Sequence, residues 1–125
     1  MINCLLVGAG GFIGAIARYL ITLIQLPGRY NLFPATFITN FAGAFAIGYL
    51  VTLVLIKEDI DPRLILFLKV GVCGGFTTFS TLALETTNIM EHSHFLLGVA
   101  YLAVSAAAGI AAVFLGGRLA LSWPA

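Results

Sequence analysis

The sequence predicts an all-α protein that crosses a membrane four times. Of its 125 residues, 61% are hydrophobic and 9% are charged, and the mean hydropathy is +1.09. A soluble domain of this size carries many more charges. The apolar residues form four stretches, each with at least the roughly 20 residues that a helix needs to cross a bilayer. We expect residues 1–125 to form one transmembrane domain.

Three short polar segments separate the predicted spans. A proline-glycine turn follows the first span, an acidic loop ending in proline follows the second, and a histidine-containing link follows the third. Connections this short leave no room for a soluble domain. The predicted spans cover residues 4–26, 32–56, 64–90 and 95–121.

Basic residues are divided almost evenly between the two sides of the membrane. With four spans, one side holds both termini with Lys57, Arg63 and Arg118, and the other holds Arg29, with Arg18 if its side chain reaches that way. A clear excess on one side normally fixes orientation. The sequence therefore permits insertion in both orientations without establishing it. The basic residues form no cluster, so a nucleic-acid partner is not expected.

Residues 71–85, GVCGGFTTFSTLALE, are unusually polar for a membrane helix. Glycine destabilises a helix by about 1 kcal/mol, and Thr77 and Thr78 can bond to nearby backbone instead of the helical ladder. We therefore predict that the third span is broken near its middle, at Gly74-Gly75. A break exposes carbonyls that attract a cation and N–H groups that attract an anion. The alternative is a kinked helix whose hydroxyls bond to their own backbone.

Hydroxyl and amide side chains lie at membrane depth in three spans. Such donors, without a cluster of carboxylates, suit an anion better than a bare cation. The positive edge of an aromatic ring can also face an anion while its faces stay apolar. The predicted pathway residues are Asn40, Phe79, Ser80, Thr81, Tyr101 and Ser105.

Two charged residues inside the spans need separate interpretations. Arg18, near the far end of the first span, either extends its charge to the interface or draws anions into a vestibule. Glu85 lies about 12 Å along the helix from Thr77, toward an interface. The sequence assigns Glu85 no partner.

The chain closely resembles the bacterial fluoride channels known as Fluc or CrcB. The resemblance rests on GGFTTFST at residues 74–81, on Asn40, on Gly14 with Arg18, and on Tyr101 with Ser105. It covers essentially the whole chain. It implies a fluoride-selective channel of the bacterial inner membrane that exports cytoplasmic fluoride passively, and not an enzyme.

The resemblance also implies an antiparallel, dual-topology homodimer with two fluoride pathways. A structural sodium ion would sit at the dimer centre on the backbone carbonyls of Gly74 and Thr77 from both subunits, and Arg18 would be a vestibule arginine. In one departure from the family pattern, Leu82 replaces a second pore phenylalanine. We predict that conduction persists, because the break, Asn40 and Phe79 are retained.

Two other hypotheses stay open. A small multidrug-type, proton-coupled exporter needs a carboxylate near mid-span, but the first span has no acid and Glu85 is off-centre. A non-transporting membrane subunit would show no activity alone.

Glycines 8, 11 and 14 have the spacing of a nucleotide-binding turn, but the strand and acidic residue that such a site requires are missing. Close helix packing explains them instead.

Overall fold

The computed structural model describes residues 1–24, 35–57 and 59–122. Within these residues all regular structure is helical, and four segments are long and apolar enough to cross a membrane. The spans are Ile2–Leu23, Ala35–Ile56, Pro62–His92 and Phe95–Leu121. This confirms the four predicted spans. The predicted end of the first span at residue 26 and the predicted start of the second at residue 32 lie outside the described residues.

The third span consists of two half-helices joined by an extended pair of residues. The upstream half-helix (residues 62–76) contains a turn at Pro62–Ile65, a π-helix at Leu66–Cys73 and a final turn at Gly74–Phe76. The downstream half-helix is Phe79–His92. Between them, Thr77 has φ −87° and ψ 157°, and Thr78 has φ −153° and ψ 119°. The predicted break near the middle of the third span is confirmed.

The break lies at the two threonines and not at the paired glycines, so its predicted position was wrong. Gly74 has helical angles, φ −62° and ψ −39°, and no described residue has a positive φ. β-Branched residues fit a helix less well than an extended strand. The Thr78 side chain also accepts the N–H of Thr81 and so starts the downstream half-helix.

Glycines instead bring the first span against the upstream half-helix. A Cβ on Gly14 would overlap the carbonyl oxygen of Val72, and one on Gly75 would overlap that of Gly11. Small residues allow such backbone contact between membrane helices. The predicted close packing is therefore confirmed at Gly11 and Gly14, whereas at Gly8 it was wrong, because Gly8 has open space around it.

The third span changes its packing partner at the break. Its upstream half-helix packs along the first span, and its downstream half-helix packs along the fourth. The second and fourth spans pack along each other, whereas the first and second make few contacts. The break thus marks the point where the third span crosses from one helix to another.

Little apolar surface is buried within a single copy of the chain. Among the described residues, the buried hydrophobic side chains are Cys73, Leu82, Ala112 and Ala120. Large apolar side chains on all four spans are exposed. Lipid or another protein surface must therefore cover them.

Candidate functional site

Asn40 of the second span clamps the break. Its Oδ1 accepts the backbone N–H of Thr78 at 2.7 Å, and its Nδ2 donates to the Thr78 carbonyl oxygen at 3.0 Å. An asparagine side chain offers the same donor and acceptor as a peptide group, so it replaces helical partners that the extended backbone has lost. The amide has a second N–H that these two bonds do not use.

A row of hydroxyl groups begins at the clamp. Thr78 Oγ1 donates to Thr81 Oγ1 at 3.1 Å and lies 3.2 Å from Ser80 Oγ. The Thr81 N–H donates back to Thr78 Oγ1 at 3.3 Å. Three hydroxyls therefore form one network on the first turn of the downstream half-helix. Phe79 projects from the same turn and is 76% exposed.

Glu85 joins the second, third and fourth spans. Its Oε1 accepts the hydroxyl of Thr36 and its Oε2 accepts that of Tyr101, both at 2.6 Å. Each carboxylate oxygen accepts one hydroxyl, one from the second span and one from the fourth. Bonds this short are typical of charge-assisted hydrogen bonds.

The clamp and the Glu85 cluster form two consecutive layers. Asn40 follows Thr36 by four residues on the second span, and Glu85 follows Thr81 by four on the third. Residues at this spacing lie on one face of a helix, about one 5.4 Å turn apart. The polar side chains therefore continue along the helix axis from the break to Glu85.

Ser105 lies one turn along the fourth span from Tyr101. Its Oγ is the buried side-chain oxygen or nitrogen for which the described residues provide no hydrogen-bond partner. A buried hydroxyl without a partner is costly unless water or an ion completes it. The nearby Tyr101 hydroxyl interacts with this side chain, so Ser105 extends the polar cluster of Glu85 and Tyr101 along the fourth span.

The break opens onto a groove of about 530 Å³. Gly74, Thr77, Phe79 and Leu82 contribute to its walls. The carbonyl oxygens of Gly74 and Thr77 accept no hydrogen bond from the described residues. In a continuous helix Gly74 would accept the N–H of Thr78, but Asn40 has taken that donor. Two residues that line the groove therefore have backbone oxygens without a partner among the described residues.

Arg18 reaches the same break from the first span. Its Nε donates to the carbonyl oxygen of Gly75 at 3.3 Å, and the side chain is half-buried. In the described part of the chain it forms no ion pair with a carboxylate. The guanidinium therefore lies beside the carboxyl end of the upstream half-helix.

Thr78, Thr36 and Glu85 are the site residues whose contacts the sequence did not assign. Of the predicted pathway residues, Asn40, Ser80 and Thr81 belong to the network at the break, and Tyr101 belongs to the Glu85 cluster. The one available signal was the shared helix face of Thr36 and Asn40.

Among the described residues, no group of three His, Cys, Asp or Glu side chains could hold a metal ion.

A helical membrane protein with peptide groups and hydroxyls exposed at the middle of an interrupted span belongs to the class that moves ions or small polar solutes. This chain belongs to the CrcB family. Residues 5–117 match the family described as "CrcB-like protein, Camphor Resistance (CrcB)".

Curated relatives match nearly the full length of the chain. The "Fluoride-specific ion channel FluC" of Chlorobaculum tepidum is 46% identical over 98% of both proteins. The proteins of the same name from Rhizobium meliloti and Chlorobium luteolum are 39% and 40% identical, over 93% and 98% of this chain and 94% and 95% of their own. The chain is a multi-pass protein of the bacterial inner membrane and belongs to a transport class, not to the enzymes.

Proposed function

We propose that this protein is a fluoride-selective channel that exports cytoplasmic fluoride passively. The observation that carries the proposal is the break at Thr77–Thr78, which places amide and hydroxyl donors at membrane depth. The names of the full-length relatives agree with this choice of ion.

Fluoride is small and strongly hydrated, so each step along a pathway must replace its water with other donors without holding it too tightly. The unused N–H of Asn40, the hydroxyls of Ser80 and Thr81, and the ring edge of Phe79 can supply the first donors.

The fourth span continues the proposed pathway with Tyr101 and Ser105. A phenol has one proton to donate, and that of Tyr101 is given to Glu85. Tyr101 therefore serves an anion only when its hydroxyl turns away from Glu85. The buried Ser105 hydroxyl interacts with Tyr101 but not with Glu85, so its competing partner is a neutral hydroxyl and not a carboxylate.

We also propose an antiparallel, dual-topology homodimer with two fluoride pathways and a structural sodium ion at its centre. Carbonyl oxygens suit a hard cation, which takes several oxygen ligands, whereas one chain offers only the carbonyls of Gly74 and Thr77. A second copy with its groove facing the first would double that number and cover the exposed Phe79. When bound, sodium would balance the partial negative charge of these carbonyl oxygens.

Purified protein in fluoride-loaded liposomes tests the proposed function, with an ion-selective electrode as detector and protein-free liposomes as control. Rapid loss of fluoride without loss of chloride is the expected result. Proton-driven uptake of a cationic drug would instead identify an exporter. The absence of both activities would favour a non-transporting subunit and contradict the proposal.

A further inference from the structure

The first span is held so close to the upstream half-helix that Arg18 is carried to its carboxyl end. Gly11 and Gly14 contact the backbone around Val72 and Gly75. Arg18 follows Gly14 by one helical turn and lies on the same face. Its hydrogen bond to the Gly75 carbonyl crosses 57 positions of sequence. This contact therefore follows from glycine packing and is not a local turn.

The end of the upstream half-helix has carbonyls that the broken ladder cannot satisfy. Cys73 keeps a partner, because its carbonyl oxygen accepts the N–H and the hydroxyl of Thr77, both at 3.0 Å. Gly75 would bond to Phe79 in a continuous helix, but Phe79 begins the next half-helix and Arg18 takes its place. Arg18 thus acts as a side-chain cap from a neighbouring span.

The charge of Arg18 also suits this position. The carboxyl end of a helix carries roughly half a negative charge, and a guanidinium stays protonated at any physiological pH. Low dielectric around the spans strengthens such an interaction relative to water. Arg18 therefore supplies both a donor and a fixed positive charge to the break.

We infer that Arg18 is a positioning residue that caps the broken helix through the Gly75 carbonyl and so fixes the peptide groups beside the groove. Counter-charge at the break would then be divided between this attached cation and the structural sodium ion proposed at Gly74 and Thr77. The contact itself does not depend on the proposed function. Its effect on fluoride flux does.

Selective labelling isolates the Gly75 carbonyl for magnetic resonance. Glycine labelled with carbon-13 at its carbonyl and phenylalanine labelled with nitrogen-15 give two bonded pairs, Gly11–Phe12 and Gly75–Phe76. A Phe12→Leu variant removes the first pair and so assigns the second. The Gly11–Phe12 signal then reports on the neighbouring carbonyl that packs against Gly75.

Three substitutions separate the donor of Arg18 from its charge. Arg18→Met removes both, Arg18→Gln keeps a donor nitrogen at the position of Nε without the charge, and Arg18→Lys keeps the charge. In bilayers, Arg18→Met is expected to move the Gly75 carbonyl signal upfield by more than any change at Gly11, whereas in Arg18→Gln the Gly75 signal should stay near its position in the parent protein. Arg118→Met, at an exposed arginine of the fourth span, is the matched control and should change neither signal.

An unchanged Gly75 signal in Arg18→Met would overturn the inference. If that variant does not fold, the parent protein gives the answer alone. Nitrogen-15 at arginine Nε should show a direct dipolar contact with the Gly75 carbonyl carbon, as the 3.3 Å bond requires, and its absence would also overturn the inference.

Fluoride flux distinguishes positioning from anion attraction. A purely attractive arginine predicts that Gln and Met variants lose flux equally and that Lys restores it. Positioning predicts that Gln retains several-fold more flux than Met. Equal loss would overturn the functional part of the inference. A parent protein without flux would refute the proposed channel, while the Gly75 signal would still test the cap.

Discussion

Asn40 and Thr78 exchange two hydrogen bonds across the contact between the second and third spans, at 2.7 and 3.0 Å. The break in the third span is therefore supported from a neighbouring helix and does not depend on its own sequence alone. The side chain that best suits the proposed anion pathway is also the one that keeps the backbone open.

Replacing Asn40 with aspartate is expected to abolish most fluoride flux and to lower the free energy of unfolding by about 1–3 kcal/mol. The acceptor for the Thr78 N–H remains, but an oxygen now faces the Thr78 carbonyl oxygen. Liposome flux and unfolding in detergent measure the two effects. Asn88→Asp, at an exposed position of the third span, is the control. Parental flux and stability in Asn40→Asp would contradict the clamp.

Gly14→Ala is expected to destabilise the protein by about 1–3 kcal/mol, because the added methyl overpacks the contact with the third span. Gly8 lies on the same helix with open space around it. Gly8→Ala should therefore be neutral or slightly stabilising, since alanine favours a helix by about 1 kcal/mol. Equal unfolding free energies for the two variants would show that the close contact is absent.

Glu85 and Tyr101 are expected to be energetically coupled. A double-mutant cycle with Glu85→Gln and Tyr101→Phe should give an interaction free energy of about 1.5–3 kcal/mol, the range for a hydrogen bond to a charged group. The matched cycle pairs Glu85→Gln with Tyr19→Phe, an exposed tyrosine of the first span, and should give about zero. Additive effects in both cycles would exclude the Glu85 cluster.

Leu82 tests whether a second pore aromatic is needed. Leu82 is 7% exposed and lies in the wall of the groove near Phe79. We expect the parent protein to conduct fluoride, and Leu82→Phe to be accommodated because the groove of about 530 Å³ adjoins it. Flux measurements on both proteins check this, with Leu84→Phe at an exposed position as control. A silent parent would refute the prediction, and equal flux would show that Leu82 is not limiting.

Sodium removal tests the proposed cation at Gly74 and Thr77. Replacing sodium with N-methyl-D-glucamine on both sides of the membrane is expected to reduce fluoride flux, because this large cation does not fit between the Gly74 and Thr77 carbonyl oxygens of two subunits. Restoring sodium should recover the flux, with lithium and potassium as size controls. Undiminished flux without sodium would remove the ion from the proposal and leave the anion pathway standing.

The four spans and the broken third helix were predictable because they depend on composition and length. The exact position of the break was not. Glycine weakens a helix locally, but Gly75 is held in a helix by its contact with Gly11. The helical hydrogen bonds are interrupted at Thr77 and Thr78 instead. Tertiary packing overrode local propensity here.

The partners of Glu85 were hidden for a related reason. They come from the second and fourth spans, and their approach depends on how each helix is rotated about its axis. Nothing in the hydropathy of an almost uniformly apolar helix fixes that rotation. The π-helix at Leu66–Cys73 has no periodicity that sequence inspection recognises, since such segments are rare and are stabilised by their surroundings.

The change of partner within the third span constrains how the chain assembles during synthesis. The first and second spans make few contacts with each other, so they enter the bilayer without forming a stable hairpin. Each packs mainly against a segment that is synthesised later: the first span against residues 62–76, and the second against Phe95–Leu121. We therefore expect the packing of the four spans to be completed only after the fourth span has entered the membrane. Two fragments separated between Ile56 and Pro62 and produced together are therefore expected to associate in the membrane.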